Sequence, residues 1–235
     1  MNLSEILSES FKYPLSNLKR MLMLGILLAL NILIIPAILS MGYYIRIIES
    51  SFQGSNELPP FNEWGKMFTD GLKYIVVLLV YLGIPAFIGV IIVTLIIMFL
   101  AYSYVASMGI YAFMGITYSL LLLIMIVPYF VSFMGIARMV KENSVKASFE
   151  FTPVINVIQG FGAGRYIAAI IIFSLLSFLV VLISSIPQMI TGNLIIIYGV
   201  SIGVALFINS YLNAFGGRLI SQIYQEGLEE HQITE

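Results

Sequence analysis

The sequence predicts an all-α, polytopic helical membrane protein that forms a single integral membrane domain. Hydrophobic residues make up 60% of its 235 residues and charged residues only 10%, whereas soluble domains carry about 25% charged residues. The 11 basic and 12 acidic residues fall in four short regions, separated by three uncharged intervals, 21–45, 74–137 and 166–217. The sequences that close these intervals also resemble one another, which predicts internal repetition.

The lengths of the intervals predict five or six membrane helices. A crossing of a hydrocarbon core of about 30 Å takes about 20 residues, so 74–137 and 166–217 each hold two crossings. Interval 21–45 holds one full crossing or a short re-entrant hairpin that breaks near Asn31–Pro36. Length favours the single crossing, since two arms of about 12 residues reach only about 18 Å each. Charge favours the hairpin, because it puts all basic residues on one side.

The first two intervals end in similar sequences, IPAILSMGYYIR (35–46) and VPYFVSFMGIAR (127–138), which align without a gap. The third interval ends in FINSYLNAFGGR (207–218), which keeps the small residues before the arginine but lacks the proline. We interpret each of these arginines as marking the return of the chain to the membrane interface. Three positions are identical between the first two motifs: Pro36 with Pro128, Ser40 with Ser132, and Arg46 with Arg138.

Each interval is also preceded by a segment with apolar residues at helical spacing: 2–20, 59–74 and 149–166. Short amphipathic helices beside membrane spans lie in the interface with the apolar side towards lipid. The predicted unit is therefore an interfacial helix, an uncharged hairpin and an exit arginine. The alternative is the alternation of apolar and polar segments that any polytopic protein has. The predicted units are 1–48, which is shortened, 57–140 and 148–220, followed by an acidic tail at 221–235.

The charge distribution predicts a multi-pass protein of the cell membrane. Lys and Arg gather in short cytoplasmic loops, so we expect the charged loops and the C-terminus in the cytoplasm. The uncharged turns near 103–109 and 184–193 are expected outside. We expect the N-terminal segment to be retained, because Glu5 and Glu9 precede its basic residues and Pro36 interrupts the apolar run.

Composition also argues against several chemistries. The chain has no cysteine, its only histidine is His231 in the polar tail, and the uncharged intervals contain no Asp, Glu or His. Intramembrane hydrolysis needs paired aspartates, a Ser/His pair or zinc ligands on a helix. A net charge of −1 gives no basic field for nucleic acid. We therefore predict a non-enzymatic protein without cofactor, metal or nucleic-acid partner.

Three arginines and one tryptophan are candidate contacts with lipid head groups. Arg46, Arg138 and Arg218 can form a ring that binds phosphate, because the planar guanidinium suits bidentate contact. The alternative for the arginines is ordinary anchoring at the interface. Trp64, the only tryptophan, falls in the second amphipathic segment, and indole rings prefer the interface.

Three asparagines within the uncharged intervals are candidates for a polar cavity. Asn209 and Asn213 are four residues apart, on one helix face, and Asn31 lies in the first interval. The alternative is hydrogen bonding between helices, worth about 0.6–2 kcal/mol each.

Four blocks carry a resemblance to a known family: GYYIR (42–46), ELPPFNEW (57–64), MFTDGLK (67–73) and SFEFTPVINVIQGFGAGRYI (148–167). On these motifs, summarised as GYxxR, ELPxFxxW and FxDG, the chain resembles an archaeal family of polytopic membrane proteins classed as a domain of unknown function. More loosely, it is similar to the membrane domains attached to some glycerophosphodiester phosphodiesterases. The resemblance implies a membrane protein with no assigned activity and no catalytic residues to carry over.

Two functions follow from these observations. The first is a non-catalytic protein that organises membrane lipids, membrane-protein partners or a homo-oligomer through its interfacial helices. The alternative is permease or channel-like transport of a small or lipidic solute along Asn209 and Asn213. A solid core with arginines around lipid phosphate would favour the first, and a polar cavity at the asparagines would favour the second.

Overall fold

The computed structural model describes residues 2–103 and 110–234, and within these ranges all regular secondary structure is helical. The fold class is therefore confirmed, while most of the turn expected near 103–109 lies outside the described residues. A 3-10 turn at Tyr13–Ser16 follows α1, and π-helical turns at Leu79–Gly83 and Val204–Asn209 join α4 to α5 and α9 to α10. The helices are α1 (Leu3–Lys12), α2 (Leu18–Ala29), α3 (Ile34–Phe52), α4 (Trp64–Leu78), α5 (Ile84–Ser103), α6 (Ile110–Lys141), α7 (Phe151–Phe161), α8 (Ala163–Ile190), α9 (Leu194–Gly203) and α10 (Ser210–Thr234).

The first uncharged interval folds as a helical hairpin. Helix α2 ends at Ala29, and α3 begins at Ile34 after a turn that contains Asn31. Helix α2 has 12 residues and is therefore about 18 Å long, well short of a hydrocarbon core of about 30 Å. The break comes where Asn31 and Pro36 predicted it, because an asparagine favours a turn and a proline lacks the N–H that helix continuation needs.

Four longer helical segments are apolar enough to cross a membrane by length and composition: Trp64–Ile96, Gly115–Lys141, Ala163–Ile190 and Leu194–Glu230. Their surfaces carry many exposed large apolar side chains, such as Phe87, Leu122 and Phe178. Water would penalise so much apolar surface, whereas lipid does not. The chain is a polytopic helical membrane protein.

All four charged regions meet at one end of the helix bundle. Arg218 lies 3.9 Å from the Glu9 carboxylate and donates to the Asn56 side chain at 2.9 Å. Lys73 donates to Asn143, and Arg165 pairs with Glu230. The N-terminal helix therefore shares an end with both charged connectors and with α10, which requires a hairpin in the first interval. We call this end the charged face, and it comprises residues 2–20, 46–73, 138–165 and 218–230.

Helix α10 is the central element of the charged face. It packs against α1, α3, α6, α7 and α8, and its side chains from Phe215 to Tyr224 include five large apolar ones that are fully or almost fully buried. The helix extends through the predicted acidic tail to Thr234, and the first residues of that tail belong to the core. The buried side chains are Phe215, Leu219, Ile220, Ile223 and Tyr224.

Two of the predicted interfacial helices differ from expectation. The second is not a separate element, because α4 begins at Trp64 and continues without a break into the long apolar segment that ends at Ile96. The third is separate, as α7, but its apolar stripe of Val154, Val157 and Phe161 is buried against protein rather than turned to lipid. In the folded protein α10 packs against α7, so this stripe contacts protein and not lipid. The three-unit repeat stays a prediction.

Glycines allow α3 and α4 to touch backbone to backbone. A Cβ atom on Gly42 would lie 1.7 Å from the Met67 carbonyl oxygen, and one on Gly71 would lie 2.0 Å from the Ile38 carbonyl oxygen. Small residues permit such close approach between membrane helices. The G-x-x-x-G pair at Gly199 and Gly203 makes no such close contact, because a Cβ atom added to either residue would meet no described atom within 4 Å.

We expect Gly71→Ala to lower the free energy of unfolding by about 1–3 kcal/mol, because the added methyl group overlaps the backbone of α3. Gly65→Ala on the same helix is the matched control. Its Cβ meets open space, so its effect is expected to be neutral or a gain of up to about 1 kcal/mol. SDS titration followed by circular dichroism measures both, and equal effects would contradict the close contact.

We expect single cysteines at Ser8 and Glu142 to react with a membrane-impermeant maleimide from the same side of sealed vesicles. A cysteine at Gly192, between α8 and α9, is expected to react only from the other side. All three positions are exposed, and the chain has no native cysteine to interfere. Labelling of Ser8→Cys and Glu142→Cys from opposite sides would contradict the hairpin in the first interval.

Candidate intramembrane binding site

The three asparagines that the sequence singles out line one cavity of about 500 Å³. Asn31 lies in the turn between α2 and α3, Asn209 is the last residue of the second π-helical turn, and Asn213 follows one helical turn later in α10. Sequence spacing alone relates Asn209 to Asn213. The fold brings Asn31 to them from 178 residues away in the chain.

Side chains from six α-helices and from the two turns that contain Asn31 and Asn209 form the wall of this cavity, and none of these lining residues is charged. Amides and hydroxyls alternate with aliphatic and aromatic groups, so the wall offers hydrogen bonds within an apolar frame. The lining residues outside the asparagines are Leu28, Ser40, Met41, Tyr44, Tyr74, Leu78, Phe133, Phe173, Ser177, Val181 and Leu212.

The cavity has a closed end near the charged face and an open end deeper in the bundle. At the closed end, Tyr44 is 7% exposed and packs edge-on against Tyr74 with ring centroids 5.7 Å apart. At the open end, Asn31, Val181 and Asn209 are exposed. Val181 follows the charged Arg165 by 16 residues, which is about 24 Å along the helix. The open end therefore lies at the depth of the lipid chains.

The short hairpin is what leaves this space open. Helix α2 packs against the π-helical turn at Val204–Asn209, where a Cβ on Gly25 would lie 2.5 Å from the Leu206 carbonyl oxygen. Because α2 and α3 turn back at Asn31, the longer helices around them extend past the tip of this hairpin. Beyond the tip, the hairpin no longer packs against them. The two π-helical turns adjoin the cavity at Leu78 and Asn209, and such turns occur frequently at functional sites.

One acceptor in the cavity wall has no partner. The Oδ1 atom of Asn213 is buried and accepts no hydrogen bond within the part of the chain that the structure describes. The Oδ1 atom of Asn31, in contrast, lies 3.2 Å from the Ser40 hydroxyl. The Ser177 hydroxyl donates to the Phe173 carbonyl of its own helix at 2.9 Å. An unpaired buried acceptor costs about 1–3 kcal/mol.

The exit arginine Arg46 binds protein rather than a neighbouring phosphate. Its side chain is 7% exposed and lies 3.0 Å from the Glu63 carboxylate. Its guanidinium also donates to the Pro60 carbonyl at 3.1 Å and to the Asn62 side chain at 2.9 Å. Contact with lipid phosphate would require Arg46 to give up these acceptors.

Arg218 binds the same connector, residues 55–63 between α3 and α4, from which Arg46 takes its acceptors. Its guanidinium donates to the Ser55 carbonyl and the Asn56 side chain, both at 2.9 Å, and lies over the Tyr13 ring at 5.2 Å. Burial raises the pKa of Tyr13, so its hydroxyl stays protonated and donates to the Glu57 carbonyl at 3.1 Å. The ring of arginines around lipid phosphate stays a prediction, and Arg46 and Arg218 are already occupied by protein acceptors.

Arg138 repeats the arrangement of Arg46. It lies 2.6 Å from the Glu150 carboxylate, and Glu150 is the residue immediately before α7 just as Glu63 is the residue immediately before α4. Sequence reasoning missed both glutamates. Their position in the sequence is the signal that could have identified them. Each is the last acidic residue before the next helix, and each follows an exit arginine. Glu63 adopts a left-handed backbone conformation, with φ of 47°, which the ion pair with Arg46 helps to hold.

Trp64 is the first residue of α4 and of the first long apolar segment. Its side chain is 46% exposed, and its ring lies 6.0 Å from that of Phe61. This position suits an indole at the membrane interface. Anchoring by Trp64 stays a prediction.

Comparison with known families gives one match, to the family described as "Protein of unknown function (DUF4013)", over residues 24–189. The matched range includes Asn31, Arg46 and Trp64, whereas Asn209 and Asn213 fall outside it. No curated protein and no solved structure matches the chain. Within the described ranges, no group of three or more His, Asp or Glu side chains is placed to hold a metal ion.

We expect Arg46→Met to lower the free energy of unfolding by about 1.5–3 kcal/mol, because it removes the hydrogen bonds that the nearly buried guanidinium makes with the segment Pro60–Glu63. Arg165→Met is the matched control. The Arg165–Glu230 pair is about 40% exposed on both sides, so its loss is expected to cost at most about 1 kcal/mol. Unfolding in SDS measures both, and a smaller effect for Arg46→Met than for Arg165→Met would contradict the structural role.

Proposed function

The chain belongs to the DUF4013 family of unknown function, and from its cavity we propose that it is a non-catalytic membrane protein that binds a small membrane-soluble molecule. The single observation that carries this proposal is the cavity of about 500 Å³ at which Asn31, Asn209 and Asn213 converge. Its volume lies within the range of about 300–1,000 Å³ that is typical of small-molecule sites.

The wall of the cavity supports an uncharged ligand. Among its described residues there is no Lys, Arg, His, Asp or Glu, and an unpaired charge at this depth would cost several kcal/mol. The amides of the three asparagines supply orientation, while Leu28, Val181 and the other apolar residues accommodate a hydrocarbon body.

Access from the lipid supports a membrane-soluble rather than a water-soluble ligand. The exposed residues of the wall, Asn31, Val181 and Asn209, lie at the open end, about 14–24 Å from the charged face by helical rise. A molecule that is dissolved in the bilayer reaches this opening without crossing the head groups.

Transport is the second candidate function, and one observation favours it. A separate cavity of about 330 Å³ opens at the charged face, and its wall includes Ile45 and Lys73, the chain neighbours of Tyr44 and Tyr74. The two cavities therefore border neighbouring residues of α3 and α4. A transport function would require a rearrangement that connects them.

The organisation of lipids or partner proteins through exit arginines receives less support. Arg46 and Arg218 already donate to the connector 55–63. Membrane lipids remain partners in this proposal, as ligands of the cavity and as the solvent of the exposed apolar surface. A homo-oligomer or a membrane-protein partner, the archaeal source and the looser similarity to phosphodiesterase membrane domains stay predictions.

We propose a cytoplasmic position for the charged face, in the cell membrane. All 11 basic residues belong to the four charged regions, and such residues gather on the cytoplasmic side of short loops. In intact cells, the cysteine at Gly192 is then the one that reacts with the impermeant maleimide.

We expect native mass spectrometry of the protein, incubated with a total lipid extract of the expression host, to reveal a bound small molecule. Ser177→Phe fills the cavity and is expected to abolish the adduct. Ser185→Phe is the matched control, since Ser185 lies on the same helix, also bonds to its own backbone and does not line the cavity. Identical adducts on all three proteins would refute the binding function, provided that their thermal melts agree.

A further inference from the structure

We infer that a second cavity binds a singly charged phosphate group, carried by a membrane lipid or by a free phosphate ester. This is the cavity of about 330 Å³ at the charged face, which we call the lysine cavity because Lys66, Lys73 and Lys141 line it. The lysine cavity is separate from the intramembrane cavity, so its ligand is independent of the function proposed above.

Two of the lysines belong to α4 and are held by oxygen acceptors. The Lys66 ammonium donates to both carboxylate oxygens of Glu49 in α3, at 2.9 and 3.0 Å. The Lys73 ammonium donates to Asp70 at 2.9 Å and to the side chain of Asn143, just beyond α6, at 3.3 Å. An ammonium group has three N–H donors. Each of these two lysines therefore keeps one donor for a ligand.

Lys141 supplies the positive charge that the protein does not balance. Its ammonium lies 5.5 Å from the centre of the Phe52 ring, and it forms no ion pair within the described ranges. The two carboxylates of the wall pair with the other two lysines, and Glu142, the next residue in the chain, lies 4.0 Å from Arg138. Three lysines against two carboxylates leave one positive charge in the wall, which a singly charged anion neutralises.

The position of the lysine cavity favours phosphate as that anion. Lys73 is the last charged residue before the uncharged interval 74–137, and Lys141 follows the interval by four residues. Lipid phosphates lie at this boundary between apolar spans and charged loops, and basic pockets between membrane helices bind anionic head groups. The wall also includes the buried apolar side chains of Ile45 and Met139, which suit the carbon atoms beside a phosphate.

A phosphate also suits the donors better than a carboxylate does. The side-chain amides of Gln53 and Asn143 line the cavity with the lysines, so its donors lie on α4 and α6 or just beyond the ends of α3 and α6. Phosphate oxygens point to the corners of a tetrahedron, whereas both oxygens of a carboxylate lie in one plane. Lysine acts as a point charge in phosphate sites. The site does not need the exit arginines, since Arg46 and Arg218 donate to the connector 55–63.

The test measures lipid binding to the full chain in detergent micelles by native mass spectrometry, at an ionic strength of about 0.15 M, which screens exposed charges beyond about 8 Å. The probes are dioleoyl phosphatidylglycerol, dioleoyl phosphatidylcholine and dioleoylglycerol hemisuccinate, which share the same acyl chains. The first carries a phosphate and one negative charge, the second a phosphate without net charge, and the third a carboxylate with one negative charge. We expect phosphatidylglycerol to bind about tenfold more tightly than either of the others.

Two variants change the wall in opposite directions. Lys141→Gln removes the unbalanced charge and should weaken phosphatidylglycerol binding about tenfold. Lys146→Gln removes an exposed charge of the same face outside the cavity and should change binding less than about twofold. Glu49→Gln frees the Lys66 ammonium and should strengthen binding up to about fivefold, whereas Glu57→Gln, exposed at the same face, should not. Misfolding cannot produce such a gain.

The soluble head group glycerophosphoglycerol identifies the source of the phosphate. If it displaces phosphatidylglycerol at millimolar concentration, the site takes a free ester, and if it does not, the site takes the lipid. If either of the other two lipids binds as tightly as phosphatidylglycerol, the phosphate site is refuted. Equal losses of binding in Lys141→Gln and Lys146→Gln refute the lysine cavity as its location. A loss in Ser177→Phe at an unchanged thermal melt refutes it as well, because that variant fills the intramembrane cavity instead.

Discussion

The burial of two guanidinium groups under one connector is the constraint on which the rest of this structure depends. Arg46 and Arg218 are about nine-tenths buried, and a buried cation is tolerated only where acceptors surround it. The connector 55–63 supplies these acceptors through its backbone carbonyls and through Asn56, Asn62 and Glu63. This arrangement ties α3, α4 and α10 together at the charged face and positions α1 beside them.

A bundle fixed at one end can leave space at the other. Helices α2 and α3 turn back at Asn31, while α4 to α6 and α8 to α10 continue into longer hairpins. The difference in length removes neighbours from the inner faces of the long helices, and the cavity occupies this position. Backbone contacts at Gly25, Gly42 and Gly71 pack the short hairpin closely against α4 and against the π-helical turn at Val204–Asn209.

The sequence predicted the shared location of the asparagines better than it predicted the contacts of the arginines. Asn31, Asn209 and Asn213 stood out because polar side chains are rare in long uncharged intervals, and an amide at membrane depth needs a partner or a ligand. The arginines stood out because each closes an uncharged interval, but several acceptors of Arg46 and Arg218 are backbone carbonyls of the connector 55–63. Carbonyls carry no sequence signal, so these contacts could not be predicted from residue types. Likewise, the stripe of α7 predicted an apolar face without saying whether lipid or α10 would cover it.

What the sequence by itself determined is the membrane setting, the helical class and the break at Asn31–Pro36, because these follow from hydropathy, length and local backbone preference. Each is a property of a segment and its solvent. Only the tertiary structure decided that the four charged regions share one face, that α10 belongs to the core beyond Arg218, and that Asn31 meets Asn209 and Asn213 at one cavity. These facts depend on contacts between residues far apart in the chain, and such contacts are selected by the packing of whole helices rather than by any local pattern.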